Sequence, residues 1–336
     1  MNMFKRACFT RPTLLAVALL SFLLMFPQLT YVSSSNDKNI IVVPDDTPSI
    51  NMAVSMVSEG GLIRVRRGVY TEEVYINKSI TLMGEEGARI LAPLKVLNAC
   101  NIVIGGIDIE IYPAGTEIGM ALLGASELRI ENLSIVGTGV LMVNSTGIVV
   151  RNCTFTENPG PAIQIRGSKS KNILVENCIF NRTYMALSAQ SGSNITFRYN
   201  TVYAKHLSIK LYSATSNITI YLNNMMSGDA EDHGKNNRWY NETLKLGNLW
   251  GDLSPEGDRD GDGRIDEPKT IGGTAGSRDE YPLAKPFTEY LKDISGDGQM
   301  SNPNNPAIPI ILAVIALVAA SAILIAARKH MRRKGI

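Results

Sequence analysis

Short stretches that alternate apolar and polar residues recur along the middle of the chain, between residues 126 and 226. They begin 20, 25, 22 and 23 positions apart, at Leu128, Ile148, Ile173, Ile195 and Ile218. Alternation with a period of two is typical of strands with one buried face. These units are shorter than a strand–helix–strand crossover of roughly 30 residues, but each accommodates three short strands and their turns. The pattern predicts an all-β fold, a parallel β-helix, and the handedness rule for parallel connections predicts a right-handed one.

Two series of asparagines follow the same period. One closes the strands, at Asn132, Asn152, Asn177, Asn200 and Asn223, and another precedes them, at Asn101, Asn172, Asn194 and Asn217. Asparagine tolerates the left-handed backbone region better than other non-glycine residues, so we expect the closing series in turns. Cys153 and Cys178 hold the same place in adjacent repeats and should be stacked neighbours. A pair of buried thiols is favoured there, although an exported compartment also permits a disulfide bond.

The two ends of the chain differ from its middle. Residues 1–32 combine basic residues, an apolar run and a Ser-rich stretch. This is the pattern of a signal peptide, with an uncleaved signal anchor as the alternative. Residues 308–327 form an uncharged apolar run that is long enough for a transmembrane helix. Basic residues follow at 328–336 and indicate a cytoplasmic tail. The sequence thus predicts a single-pass cell-membrane protein with its ectodomain outside.

The ectodomain divides into three segments by pattern. The β-helix is expected over residues 39–226, an Asp-rich extension over 227–287, and a Pro/Asn/Gly-rich stalk over 288–307. Helical spacing of apolar residues predicts a short amphipathic helix from Ser49 to Ser58. Because the open end of a solenoid promotes aggregation unless it is capped, we expect this helix to cover the N-terminal end.

The charge distribution argues against a nucleic-acid partner. The 33 Lys and Arg residues nearly balance the 31 Asp and Glu residues, and the net charge is +2. Basic and acidic residues are interspersed, without the basic stripe that nucleic-acid binding requires.

An Asp-rich loop at residues 258–266 carries the clearest local motif. Carboxylates occupy its first, third, fifth and ninth positions and glycine its sixth, as in the first part of an EF-hand calcium loop. The predicted structural calcium site comprises Asp258, Asp260, Asp262, Arg264 and Asp266. The twelfth position is Lys269 instead of glutamate, so Glu267, Asp252 or Asp279 would have to complete the shell. The alternative is a solvated acidic turn.

Two further sets of residues are candidates for surface chemistry. Of eight N-glycosylation sequons, the preferred sites of glycan attachment are Asn77, Asn181, Asn194, Asn217 and Asn241. Outward strand positions carry a ladder of charges that could hold a glycan: Arg129, Glu131, Arg151, Glu176 and Arg198. The commoner interpretation of such a ladder is a solvated face of alternating charge.

Six segments near the two ends of the repeat region carry a family resemblance: residues 41–53, 61–65, 68–74, 78–84, 247–250 and 279–283. The first four resemble the opening of right-handed β-helix proteins with the pectin-lyase-like fold, among them the NosD family, often labelled periplasmic copper-binding. The last two are similar to the close of many exported NosD-like proteins. The resemblance implies the fold, whereas an activity depends on the particular site that a fold carries.

The family label would imply copper, for which the sequence offers few ligands. Copper sites prefer clustered thiolate, thioether and imidazole groups. The three histidines, His206, His233 and His330, are scattered, and only Met225 and Met226 approach His233 in sequence. Copper is therefore not expected.

These observations favour a non-catalytic cell-surface module that binds polysaccharide or packs with surface-layer components. One alternative is a surface polysaccharide lyase or hydrolase, and another is a NosD-like accessory protein for metal-site assembly. The paired-Asp and Gly-His-Gly patterns of polygalacturonases do not occur in the sequence. The Gln- and Asp-containing signatures of pectin methylesterases do not occur either, so we assign no catalytic residue.

Overall fold

The computed structural model describes residues 38–112 and 118–290. The predicted signal segment, the transmembrane helix, the tail and all but the first residues of the stalk lie outside these ranges. Among the described residues, no helix has the length and apolar character needed to cross a membrane.

The described chain winds into a parallel β-solenoid with three faces. Face A contains β4 (Val74–Ile76), β7 (Leu94–Leu97), β10 (Met120–Leu123), β13 (Val140–Val143) and β16 (Pro161–Arg166). Face B contains β1 (Lys38–Val43), β2 (Val57–Val65), β5 (Thr81–Gly84), β8 (Cys100–Gly105), β11 (Ser126–Glu131), β14 (Thr146–Arg151) and β17 (Lys171–Glu176). Face C contains β3 (Gly68–Tyr70), β6 (Ala88–Ile90), β9 (Asp108–Glu110), β12 (Ser134–Val136), β15 (Thr154–Thr156) and β21 (Leu249–Trp250).

The last coils are continued by strands that run round the corners. These strands are β18 (Ile179–Arg198), β19 (Thr201–Tyr221) and β20 (Asn224–Asp232). In β18, residues 179–181 lie on face C, 185–189 on face A and 193–198 on face B, each pairing in parallel with the strand one coil earlier. A separate antiparallel pair, β22 (Lys269–Thr270) and β23 (Arg278–Asp279), belongs to the C-terminal extension.

The apolar repeat positions stack in register to form the core. Leu128, Ile148, Ile173, Ile195 and Ile218 are successive partners on face B and all are buried. Three phenylalanines extend the core along the axis: the rings of Phe155 and Phe180 stack 4.9 Å apart, and those of Phe180 and Phe197 lie 5.6 Å apart. The predicted all-β parallel solenoid is thus confirmed.

A short helix, α1 (Ile50–Met56), covers the N-terminal end of the core. Its side chains Ile50, Ala53 and Val54 are buried, as the helical spacing predicts. The Ser49 hydroxyl accepts a hydrogen bond from the amide of Met52, and thereby caps the helix. The helix is shorter than predicted, because the last two residues of the predicted segment belong to β2.

The two asparagine series behave differently at the turns. All four members of the preceding series adopt positive φ, between 52° and 55°. In the closing series Asn132, Asn152 and Asn177 do so, but Asn200 and Asn223 do not. In the last coils Tyr199 and Leu222 take the left-handed position instead, with φ of 57° and 53°. Asn200 and Asn223 still lie in the connections between strands, but the prediction of a left-handed backbone for them was wrong, and both side chains lie inside the solenoid.

The residue directly after this turn points into the solenoid in each coil. These residues form an interior column whose chemistry changes along the axis. Cys153 and Cys178 occupy it as neighbours, buried and without a disulfide bond. Burial raises the pKa of the Cys178 thiol, which keeps it protonated. Asn200 and Asn223 continue the same column one and two coils later, and Asn248 follows.

Two buried aspartates close the C-terminal end. Asp279 accepts hydrogen bonds from the Asn248 amide at 2.8 Å and from Trp250 Nε1 at 3.0 Å. Asp232 accepts one from Trp239 Nε1, also at 3.0 Å. The two indole rings lie 6.0 Å apart over the core. The only two tryptophans of the chain thus form an aromatic lid whose polar edges are satisfied by buried carboxylates.

Candidate functional site

The predicted charge ladder forms a continuous row on face B. Glu131, Arg151, Glu176 and Arg198 are successive register partners, so acid and base alternate from rung to rung. Arg151 lies 3.8 Å from both neighbouring glutamates, and Arg198 Nη2 lies 2.8 Å from Glu176 Oε2. Arg129, two residues before Glu131 on the same strand, lies 3.9 Å from Glu131 and is more exposed than the other members of the ladder. The ladder therefore neutralises itself along the axis.

Arg198 is the most strongly held member of this row. Its Nε and Nη2 donate to Glu176, and its Nη1 donates to the Tyr221 hydroxyl at 2.9 Å. The pKa of Arg198 is raised: burial opposes the charge, but the bonds to Tyr221 and Glu176 outweigh that effect. Glu176 itself is only 8% exposed. A carboxylate that is held by two arginines is poorly placed to transfer protons in a reaction.

An aromatic and basic surface lies on face A near the C-terminal end. We call it the tyrosine face and define it by Tyr184, His206, Lys210 and Tyr212. The Tyr184 and His206 rings lie 4.9 Å apart, and the Lys210 ammonium sits 5.4 Å above the Tyr212 ring. Tyr184 and Tyr212 are 41% and 38% exposed, which leaves ring surface open to a ligand.

Lys210 connects the parts of the tyrosine face. It follows Ser188 and precedes Glu231 in the register of successive coils, and its Nζ lies 2.6 Å from Glu231. Its pKa is raised, first by the hydrogen bond to Glu231 and also by the phenols of Tyr212 and Tyr184. The lysine is therefore charged at neutral pH and interacts electrostatically with both exposed tyrosines.

The other tyrosines of the last coils are arranged differently. Tyr203 is exposed, but Tyr199 and Tyr221 are buried. Tyr199 packs against Phe287, and burial raises its pKa to about 12. These two tyrosines thus hold the segment around Phe287 against the solenoid.

The Asp-rich loop brings three of its predicted ligands together. Carboxylate oxygens of Asp258, Asp260 and Asp262 lie within 4.8 Å of one another. Oδ2 of Asp258 accepts a hydrogen bond from the amide of Gly263, while its Oδ1 is buried and has no hydrogen-bond partner among the described residues. A buried carboxylate oxygen without a partner fits a hard cation such as calcium.

The remaining predicted ligands lie outside this cluster. The Arg264 side chain contacts Asp262 and lowers the pKa of that carboxyl. Asp266 and Glu267 both face Arg259. Lys269 turns away from the loop and pairs with Asp252.

Asp279 does not reach the loop either, because it is buried beneath Trp250. Burial raises its pKa to about 7, against the opposing hydrogen bonds from Trp250, Asn248 and Tyr281. Three carboxylates are thus available as ligands at this cluster, and water would have to fill the other positions around a calcium ion.

The candidate glycan sites differ in their exposure. Asn77, Asn181, Asn194 and Asn217 are exposed. Asn241 is half-buried, and its Oδ1 accepts hydrogen bonds from the amides of Thr243 and Leu244. Asn194 and Asn217 lie at adjacent turns of one face, because Ser193 and Ser216 are register partners.

The sequence of the solenoid decides the family. The profile of the family described as "Periplasmic copper-binding protein (NosD)" matches residues 54–255, more than half of the chain. The chain belongs to the NosD family. It folds as a parallel β-solenoid, as the sequence resemblance predicts. The comparison with curated proteins finds no match.

Solved structures similar to this NosD-family chain come from several kinds of protein. A Streptococcus pneumoniae surface protein and adhesin, PfbA, is 16% identical, with a TM-score of 0.44 over 59% of this chain and 69% of its own. A pectate lyase variant from Xanthomonas campestris is 13% identical, with a TM-score of 0.42 over 66% of this chain and 83% of its own. A pectin methylesterase variant in complex with a hexasaccharide is 12% identical, with a TM-score of 0.38 over 56% and 76%.

The described residues do not fit the copper that the family description implies. The metal-ligating cluster found among them consists of aspartates, which suit hard cations. His233 contacts Thr274 and Glu231, and His206 stacks on Tyr184. Met225 is buried in the core. His330 lies outside the described residues.

Five tyrosines of the last coils are candidates from the sequence for sugar stacking if they face outward: Tyr184, Tyr199, Tyr203, Tyr212 and Tyr221. The structure exposes Tyr184, Tyr203 and Tyr212. Sequence reasoning missed their grouping with His206 and Lys210, and it missed the closing aspartates. Tyr184 and His206 lie at the corner between faces C and A, and Tyr212 lies at the corner between faces A and B. These residues come together only when the chain winds into successive coils.

Each tryptophan of the lid has an aspartate beside it in space. Asp232 is also near Trp239 in sequence, but Asp279 is far from Trp250 in sequence.

Proposed function

We propose that this NosD-family protein is a non-catalytic cell-surface module that binds carbohydrate. The observation that carries the proposal is the tyrosine face, where Tyr184 and Tyr212 expose their rings and both interact with the charged Lys210. Aromatic rings offer an apolar surface with a polar edge, which suits the face of a sugar ring. Lys210 and His206 supply donors for the hydroxyl or carboxylate groups of a polysaccharide.

The charge ladder supports binding without catalysis. Acid–base catalysis needs a carboxyl group or base that is accessible and whose pKa is tuned to the reaction. The carboxyl group with a strongly raised pKa is Asp279, and it is fully buried under the lid. The accessible Glu231 has a lowered pKa because Lys210 donates to it. The ladder acids are paired with arginines.

The predicted location completes the proposal. A signal segment, residues 1–32, and a membrane helix, residues 308–327, would place the solenoid outside the cell on one anchor. The partner would then be a polysaccharide or a component of a surface layer. A rigid solenoid face, repeated along the axis at about 4.8 Å per coil, suits an extended polymer.

The experiment uses the full chain in detergent and a panel of acidic and neutral polysaccharides. We expect retention on one of them and no new reducing ends relative to heat-killed protein. Changing Tyr184 and Tyr212 together to alanine should weaken retention at least tenfold. Tyr75→Ala is the matched control, because Tyr75 is also exposed and lies 5.2 Å below a lysine, but at the other end of the solenoid.

Three outcomes would contradict this proposal. Release of reducing ends or of unsaturated products would establish the alternative, a polysaccharide lyase or hydrolase. Retention that survives the double tyrosine change would remove the tyrosine face from the explanation. Absence of both turnover and retention would favour packing within the cell envelope over carbohydrate binding.

Calcium is proposed as a structural ion at the Asp-rich loop. The loop packs against the C-terminal segment: Gly263 accepts a hydrogen bond from the amide of Ala284, and Ile265 donates to Pro282. Calcium should therefore protect the loop from proteolysis. We expect Asp258→Asn to abolish that protection, while Glu267→Gln, outside the cluster, should leave it unchanged. Equal cleavage with calcium and with chelator would contradict a calcium site.

A further inference from the structure

A groove of about 460 Å³ opens on face B, away from the tyrosine face. It is lined by Asn172, Ile173, Leu174, Asn194, Thr196, Arg198, Thr219, Tyr221 and Asn241. We infer that this groove binds a neutral sugar ring. The inference extends the proposed carbohydrate binding to a second face, and it is tested by variants that leave the first face intact.

The floor of the groove is a short row of register partners. Leu174, Thr196 and Thr219 follow one another on three successive rungs and point outward. The row therefore offers one apolar side chain beside two hydroxyl groups, spaced by about 4.8 Å. A pyranose has the matching character, with an apolar ring face and hydroxyl groups around its rim. Small-molecule sites commonly combine an apolar surface with a few placed polar groups.

One wall of the groove is polar but carries no net charge. Arg198 is neutralised by Glu176, to which its Nε and Nη2 donate at 3.0 and 2.8 Å. A guanidinium has five N–H donors, and the bonds to Glu176 and Tyr221 account for three of them. The Tyr221 hydroxyl accepts a hydrogen bond from Arg198, so its own proton is directed elsewhere. The wall thus offers oriented donors without attracting an anion, which selects a neutral ligand.

Amide side chains complete the lining of the groove. Asn194 Nδ2 donates to Asn172 Oδ1 at 3.4 Å. Asn241 uses its Oδ1 for a turn, which leaves its Nδ2 to donate. Asparagine side chains form paired donor and acceptor bonds with sugar hydroxyl groups.

The position of two sequons gives the sugar two conceivable sources. Asn194 and Asn241 both begin a sequon and both line the groove. A glycan attached to either would hold its first sugars beside the groove at a high effective concentration. A sugar of an external polysaccharide would present the same chemistry from outside. Both sources place a neutral pyranose against the same residues.

The test measures binding of neutral methyl glycosides to the full chain made in a host without N-glycosylation. Ligand-detected NMR should show binding of at least one of the methyl glycosides of glucose, galactose, mannose and N-acetylglucosamine. Leu174→Arg places a long charged side chain on the groove floor and should weaken binding at least tenfold. Val149→Arg is the matched control, since Val149 is the register partner one rung before Leu174 and does not line the groove.

A second variant guards against loss of folding. Tyr221→Phe keeps the packed ring and removes only the hydroxyl, and we expect a threefold or greater loss of affinity with an unchanged unfolding transition. The Tyr184/Tyr212 double change should leave this binding unaltered. Failure of all four glycosides to bind, or binding that Leu174→Arg leaves intact, would overturn the inference, whatever the tyrosine face does.

The source of the sugar is then identified with chain made in a glycosylating host. If the attached glycan fills the groove, mass spectrometry will find it on Asn194 or Asn241. Free glycoside binding will be lost, and substitution of the occupied asparagine by glutamine will restore it. If free glycosides still bind the glycosylated chain, the sugar comes from an external polysaccharide. A glycan on either asparagine that blocks no binding and gains no protection from glycosidase would exclude the attached source.

Discussion

The early and late coils of the solenoid use asparagine in opposite ways at the same corner. In the early coils Asn132, Asn152 and Asn177 occupy the left-handed turn and are half-buried. In the late coils the asparagine comes one residue later, so Asn200 and Asn223 face inward and are fully buried. One position of register therefore decides whether an asparagine shapes the turn or fills the core.

Each late asparagine makes the same set of bonds to its neighbours. The Asn223 Oδ1 accepts hydrogen bonds from the Asn200 amide and from Asn200 Nδ2. Its Nδ2 donates to Phe197 O at 2.9 Å and to Asn248 Oδ1, also at 2.9 Å. Asn248 repeats the pattern and passes it to Asp279. The late column is thus a polar ladder in which every bond has a partner one coil away.

The outward side of the late corner changes as well. Tyr199 and Leu222 adopt positive φ there, although the left-handed region costs a non-glycine residue roughly 1–2 kcal/mol. Both belong to an apolar cluster with Leu246, Leu283 and Phe287. The burial of that cluster offsets the backbone cost. The comparison teaches that the late coils exchange a solvated corner for a docking surface that holds the C-terminal segment.

The largest expected effect comes from breaking the late ladder. Asn223→Leu removes the acceptor of two buried donors on Asn200, and each orphaned donor costs about 1–3 kcal/mol. We expect the free energy of unfolding to fall by about 4 kcal/mol, as measured by urea denaturation. Asn152→Gly is the early-coil control, because glycine readily adopts positive φ, and it should change stability by less than about 1 kcal/mol. Equal losses would show that the two regions do not differ as described.

The second effect concerns the acid that ends the ladder. Because burial raises the pKa of Asp279 to about 7, the native state keeps a proton that the unfolded chain releases near pH 4. This contribution to stability is therefore full below pH 4, falls as the pH rises towards 7, and is absent above it. We expect the wild type to lose about 4 kcal/mol between pH 4 and 8 relative to Asp279→Asn, which mimics the protonated acid.

The measurement is urea denaturation of both proteins at several pH values. Subtracting the two profiles removes the contribution of the other titrating groups. A difference that is flat with pH, or that rises from pH 4 to 7, would show that the four donors around Asp279 stabilise its charged form more than burial disfavours it.

Much of the fold follows from the sequence because strand alternation is a local signal. Leu128 and its equivalents identify the repeat, and the helical spacing after Ser49 identifies the cap. Asn200 and Asn223 were misplaced because the closing asparagine does not stand at a constant distance from the last inward residue of its strand. Asn152 follows the inward Val150 by two positions, whereas Asn200 follows the inward Phe197 by three. Only the stacking of Asn200 on Cys178, through the bond from the Cys178 amide at 2.9 Å, distinguishes the two.

The candidate sites were harder to predict for a related reason. The Asp-rich loop is contiguous in sequence, so three of its carboxylates could be named from their spacing. The tyrosine face gathers Tyr184, His206 and Tyr212 from two coils and two corners. Its assembly depends on the register of β18 with β19, which contains irregularities between residues 181 and 185 and between 189 and 191. No local pattern reports those irregularities.

The smallest expected effect would sharpen the comparison by moving the boundary between the two regions. Cys178 lies in the same interior column as the late asparagines, directly next to Asn200. Cys178→Asn would extend the ladder by one rung, since its amide could donate to Asn200 Oδ1 while its own oxygen faces Cys153. Because that oxygen meets a single thiol, the gain is partial, and we expect stability within about 1 kcal/mol of the wild type.

The control is Leu133→Asn. Leu133 lies in the same column two coils before Cys178 and has no asparagine beside it, so this change should cost more than about 2 kcal/mol. Urea denaturation of the two variants distinguishes the cases, and a larger loss for Cys178→Asn would mean that the ladder depends on the late backbone and not on the neighbouring amide.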